Sequence, residues 1–159
     1  MLARLSHPNI LSVFGLEPVD GLGDCIVMEY VEGTRLSQMT STLQERLRML
    51  DELLDAVSYC HLLGIAHRDL KPSNIMVTRN GNHIKLIDFG LADSDSNAIL
   101  KQPAGTPNYM SPEQATTDVA DVRNDIYSLG VIMEKMEFAV VTVALSANAS
   151  RPSASGIRA

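Results

Sequence analysis

Apolar and polar positions fall into distinct blocks along the chain. Residues 11–17 and 25–30 are apolar and partly β-branched, and the stretch between them, Pro18-Val19-Asp20-Gly21-Leu22-Gly23-Asp24, is rich in turn residues. The pattern predicts two antiparallel strands. Glu32-Gly33 then breaks the chain. Residues 42–63 carry the clearest helical signal. Thr42 and Glu45 fit a capping box, and Gly64 stands where a C-terminal glycine belongs. Leu43, Leu47, Leu50, Leu54 and Val57 recur at steps of three and four, which predicts that this stripe is the buried face.

Beyond that helix, Pro72 forbids regular helix and pushes Lys71 to extended geometry. A short strand over residues 75–78 leads into Asn80-Gly81, a strong two-residue hairpin signal, and residues 83–87 return. Counting outward from that turn pairs Arg79 with Asn82 and sets Asn74 opposite Ile87. Ile75, Val77, Ile84 and Leu86 then share one face, as a half-buried hairpin requires. Residues 93–105 are polar and read as a loop. A second helix is expected from about Asp125 through Tyr127, Leu129, Val131 and Met133. The pattern loosens after Met136, and the Ser-, Ala- and Arg-rich end reads as an irregular tail.

Composition narrows the function classes. The chain has 159 residues, 45% of them hydrophobic, and a formal charge of −6. That is enough for one core and too little for two domains. The absence of a basic run argues against nucleic-acid binding. No apolar stretch is long enough to span a bilayer, and residues 1–10 do not resemble a signal peptide. Cys25 and Cys60 are too far apart for a CxxC pair and read as reduced thiols, pointing to a cytoplasmic protein. His61 and His83 are expected to be solvated, His7 to make a local hydrogen bond, and no His/Cys spacing suits zinc.

The hairpin register has a chemical consequence. It brings Asn74 beside Asp88, with Asp69 only five residues upstream of Asn74. Mg²⁺ takes one or two carboxylates and completes its shell with water and phosphate oxygens, a task that Asp88 and Asn74 suit. Asp69 is then free to accept a proton or orient a hydroxyl. Lys71, two residues on in an extended segment, lies on the same side and could neutralise charge on a transferring phosphoryl group. These residues point to metal-assisted phosphoryl transfer from a nucleotide.

His67-Arg68-Asp69-Leu70-Lys71-Pro72-Ser73-Asn74 resembles the catalytic loop of protein kinases, Asp88-Phe89-Gly90 their metal-binding motif, and Ser111-Pro112-Glu113 the end of their activation segment. Lys71-Pro72 and Gly105-Thr106-Pro107 are similar to the serine/threonine branch, and Ser111-Pro112-Glu113-Gln114 to its bacterial members. The resemblance implies an α+β, protein-kinase-like fold. It also implies ATP as co-substrate, Mg²⁺, and a protein substrate with a Ser or Thr acceptor. Asp69 would be the catalytic carboxylate, Lys71 would contact the γ-phosphate, and Thr106 would bridge the two. Asn74 and Asp88 would hold the metal. Met28 would guard a back pocket, the backbone of Glu29 and Val31 would bind the adenine edge, and Met76 would floor the ring. Taken alone, Met28 and Met76 also suit plain core packing. Asp125 would pin the loop backbone, and Leu2, Val13, His67 and Phe89 would stack in an apolar column. Arg68, Gly90 and Glu113 would give structural support.

The resemblance covers residues 1–137, as a truncated fold: a small-lobe remnant and hinge over 1–31 and the first half of the large lobe over 32–137. Residues 138–159 are unmatched. No glycine-rich loop precedes the hinge, and no strand lysine or partner glutamate is present. Glu113 lacks a clear arginine partner, and the activation segment offers only Ser94 and Ser96 as hydroxyls before Gly105. Two readings follow: a serine/threonine protein kinase, or a truncated kinase-like chain that binds nucleotide or a partner with little turnover and marginal stability.

Overall fold

The computed structural model describes residues 5–89, 105–114, 116 and 121–149, with the backbone alone over 137–149. Strands β1 (Val13–Val19) and β2 (Gly23–Met28) form an antiparallel ribbon whose turn is made by Gly21 and Gly23, both at positive φ. One face of the ribbon is open: Phe14, Leu16 and Ile26 are more than half exposed, as is Leu22 at the turn. A second sheet runs β3 (Gly33–Arg35), β4 (Ile75–Thr78), β5 (Ile84–Leu86), all antiparallel. Strand β3 stands where the sequence suggests only a break. A three-residue strand carries almost no periodicity, and pairing with β4 decides it.

The β4–β5 register is the expected one. Ile75 faces Leu86 and Val77 faces Ile84, and the Ile87 N–H bonds the Asn74 carbonyl at 2.9 Å. Those four apolar residues are all buried. The N-terminal segment joins the same sheet, with the Leu86 N–H on Asn9 O at 2.8 Å and the Leu11 N–H on Leu86 O at 3.0 Å.

Helix α1 (Leu43–Leu62) has the capping box in full, Thr42 and Glu45 each satisfying the other's backbone N–H. Its buried face differs from the expected one. Met49, Leu53, Ala56, Val57 and Cys60 are buried, whereas Leu43, Leu47 and Leu54 lie 53%, 58% and 42% exposed. The helix carries two apolar stripes at helical spacing. Packing against β4–β5 and α2 selects the one that includes small Ala56 and Cys60, where neighbouring elements can approach closely.

Helix α2 (Val122–Ala149) runs antiparallel to α1: Arg46 donates to the Met136 carbonyl at 2.6 Å, and His61 meets Asp125 at the other end. It begins three residues before Asp125 and corrects the irregular tail expected from residue 138 onward. Between Val131 and Ala149 there is no glycine or proline, and the alanine-rich composition favours continued helix. Residues 150–159 lie outside the described residues, as do Leu2, Gly90, Ser94, Ser96 and most of the expected loop over 93–105. One core unites α1, β4, β5 and α2 through Leu53, Leu70, Ile75, Leu86, Phe89 and Ile132, among others. Among the described residues no helix is long and apolar enough to cross a membrane.

Candidate active site

The segment between α1 and β4 is pinned from α2. Asp125 is buried, and its Oδ1 accepts the Arg68 N–H at 2.8 Å. Its Oδ2 accepts the His67 N–H at 2.8 Å and meets His61 Nε2 at 2.8 Å. His61, expected to be solvated, is therefore a partner of this carboxylate. His67 is buried with both ring nitrogens used: Nδ1 accepts from the Asp69 N–H at 3.3 Å and Nε2 donates to Ile87 O at 3.2 Å. A neutral ring with its proton on Nε2 fits both. Burial lowers the pKa of His67 below the usual histidine value, outweighing the nearby Asp125 charge. The ring also packs on Phe89 at 4.6 Å between centroids.

Next in the chain, Asp69, Lys71, Asn74 and Thr106 converge. Lys71 Nζ donates to Asp69 Oδ2 at 2.5 Å and to Thr106 Oγ1 at 2.7 Å, and Thr106 donates to Asp69 Oδ1 at 2.7 Å. Asn74 is buried, and its Nδ2 donates to Asp69 O and Oδ2 at 3.0 and 3.1 Å, which leaves its amide oxygen as an acceptor. Asp88 follows Ile87, whose N–H binds Asn74 O, and adopts φ +61°. The half-buried carboxylate of Asp69 can orient or deprotonate a hydroxyl, and the ammonium beside it can stabilise anionic charge. Among the described residues no three His, Cys, Asp or Glu gather tightly enough to hold a metal by themselves. A hard cation would rest on Asn74, Asp88 and the oxygens of a phosphate ligand, and this donor set fits Mg²⁺.

At the end of β2, Glu29 exchanges two hydrogen bonds with Ser12, its N–H to Ser12 O at 2.8 Å and its Oε2 from the Ser12 N–H at 3.1 Å. Lys85 on β5 pairs with the same carboxylate at 2.9 Å. Burial pushes Glu29 up, but the Lys85 hydrogen bond and the Ser12 N–H outweigh it and hold Glu29 below the usual carboxylate value. Met76 is the register partner of Lys85, so it lies on the sheet face turned toward this junction. Neither Met28 nor Met76 belongs to the core, contrary to the packing alternative, and Met28 is 46% exposed. Val31 lies half-buried just beyond β2.

Some side chains hold the site in ways the sequence motifs do not specify. Gln114 is buried and donates from Nε2 to the Arg68 carbonyl at 2.6 Å. Ser128 on α2 donates to Tyr109 O at 2.6 Å, and Ser111 donates to Asn124 at 2.9 Å, fixing the segment that holds Thr106. A lone serine or glutamine between helices has no periodicity that would reveal such a role. Glu113 is exposed, so it does not depend on a buried arginine partner. Its charge acts on Arg123 at the start of α2. His83 is exposed and pairs with Glu52, and His7 accepts from the Asn9 N–H at 3.2 Å.

The family model for the protein kinase domain matches residues 1–151, past the limit at 137 set by the sequence motifs. A probable serine/threonine-protein kinase of Streptomyces coelicolor is 42% identical over 147 residues, covering 84% of this chain and 22% of the relative. Serine/threonine-protein kinase PknB of Mycobacterium leprae is 38% identical, covering 82% and 23% respectively. Serine/threonine-protein kinase PrkC of Bacillus subtilis is 37% identical, covering 82% and 21%. This chain thus spans about a fifth of the length of these relatives. With most of its length matched by that family model, the chain belongs to the protein kinase family.

Proposed function

We propose that this chain carries the transfer centre of a serine/threonine protein kinase, moving the γ-phosphoryl group of ATP to a protein hydroxyl. The observation that carries the reading is the closed cluster of Asp69, Lys71 and Thr106, with Asn74 bonded to the same carboxylate. Protein kinases use ATP and divalent metal generally. The acceptor oxygen bonds to the γ-phosphorus as the bridge to ADP breaks, and its proton passes to Asp69. Lys71 neutralises charge on the phosphoryl group, and Thr106 keeps Asp69 and Lys71 in register. Asn74 and Asp88 would hold Mg²⁺, which would supply positive charge against the phosphates. The backbone of Glu29 and Val31 meets the adenine edge, with Met28 and Met76 against the ring. The proposed use of ATP suits a reaction in the cytoplasm.

Two measurements on the full chain test this. Binding of a fluorescent ATP analogue is expected to need Mg²⁺ and to weaken about tenfold in Asp88→Asn. Transfer of labelled phosphate to a serine peptide is expected to fall about 100-fold in Asp69→Asn, with nucleotide affinity within about threefold. Binding that ignores both Mg²⁺ and Asp88, or transfer unchanged in Asp69→Asn, overturns the reading.

A further inference from the structure

A groove of about 690 Å³ opens beside the Asp69–Lys71–Thr106 cluster. Pro72, which follows Lys71, forms one wall. Tyr109, whose N–H bonds the Thr106 carbonyl at 2.9 Å, forms another. Half-buried Leu36, Met39 and Met136 supply an apolar surface between them. A polypeptide whose hydroxyl meets Asp69 therefore has neighbouring residues within reach of this groove.

The charge around the groove opposes that of the whole chain, which is −6. Lys135 on α2 is exposed, with its ammonium 4.0 Å above the centre of the Tyr109 ring. Among the described residues, no carboxylate lies within ion-pair distance of it. Arg46 donates to the carbonyls of Ser41 and Met136, so its positive charge is fixed in the wall without a carboxylate neutralising it. Exposed Arg35 donates to Ser73 O at 2.9 Å, beside Pro72. The one acidic wall residue, Glu45, is engaged by the Thr42 N–H and hydroxyl at 2.8 and 2.9 Å.

We infer that this groove selects acceptor segments in which an apolar and an acidic residue flank the Ser or Thr, with Lys135 and Arg35 as the specificity-determining cations. The inference rests on the transfer reading above and adds the substrate class to it. The apolar flank fills the Leu36–Met39–Met136 surface, and the carboxylate meets cations with few competing anions.

Fluorescence anisotropy with short labelled peptides tests it on the full chain. A serine peptide with leucine and glutamate neighbours is expected to bind about tenfold more tightly than its counterpart with lysine in place of glutamate, and added salt should shrink the gap. In the double variant Arg35→Glu/Lys135→Glu, the preference should invert. Both side chains are exposed, and circular dichroism verifies the fold. Equal affinity for the two peptides, or a preference that survives the charge reversal, overturns the inference. Mg²⁺-dependent nucleotide binding by the same sample reports separately on transfer. Nucleotide binding without peptide discrimination overturns the groove alone, and peptide discrimination without nucleotide binding overturns the transfer reading alone.

Discussion

Arg68 stands at φ +69°, a left-handed conformation costly for a long side chain, and its N–H is held by Asp125 Oδ1 at 2.8 Å. The strain sits one residue before Asp69 and is offset by a buried carboxylate on α2. That carboxylate also takes the His67 N–H, so two successive peptide groups are fixed at the entrance to the transfer centre.

Asp125→Asn removes the charge and turns a donor toward groups that are themselves donors. Unfolding in urea should show a loss of about 3 kcal/mol. A midpoint unchanged from the parent would mean that the loop holds its shape without this anchor.

His67 gives stability a pH dependence of defined sign. Its folded pKa lies below the usual value of 6.5, so its contribution is complete above 6.5 and is lost as pH falls toward the depressed folded value. Stability should therefore rise with pH up to about 6.5 and level off above it, and His67→Gln should flatten that slope. Chemical denaturation across this range measures both, and an identical slope in the variant would contradict the assignment.

Gly33 in β3 lies against the backbone of Val77, and an added Cβ would collide with the Val77 carbonyl oxygen. A backbone atom in a paired strand cannot swing aside. Gly33→Ala should cost about 1–3 kcal/mol in thermal or urea unfolding. Gly15→Ala, where nothing lies within 4 Å, serves as the contrast and should leave the midpoint near the parent's.

The two cysteines should differ in reactivity. Cys60 is buried on the core face of α1, and burial pushes its thiol up to about 11, with the Asp125 charge adding to the shift. Cys25 is half-buried on the open ribbon. Iodoacetamide followed by mass spectrometry should find one adduct, at Cys25, with Cys60 labelled only in denaturant. Rapid native labelling of Cys60 would show that α1 opens.

Local signals were enough for much of this protein. Asn80-Gly81 and the alternation of Ile75, Val77, Ile84 and Leu86 set the hairpin register, because a slip of one residue would turn those four side chains into water. The Thr42–Glu45 box located the start of α1 for a similar reason, since both partners lie within one turn. Asp69, Lys71 and Asn74 were legible as a group because five residues of extended and turn geometry keep them together. Only the tertiary structure decided which stripe of α1 is buried, because a helix with two apolar faces has no preference until β5 and α2 compete for it. The closure of Thr106 on Asp69 across 37 positions follows from the family resemblance and not from local pattern, and only the tertiary structure decided that His61 reaches Asp125 across 64. Contacts so distant in the chain depend on packing that no local periodicity encodes.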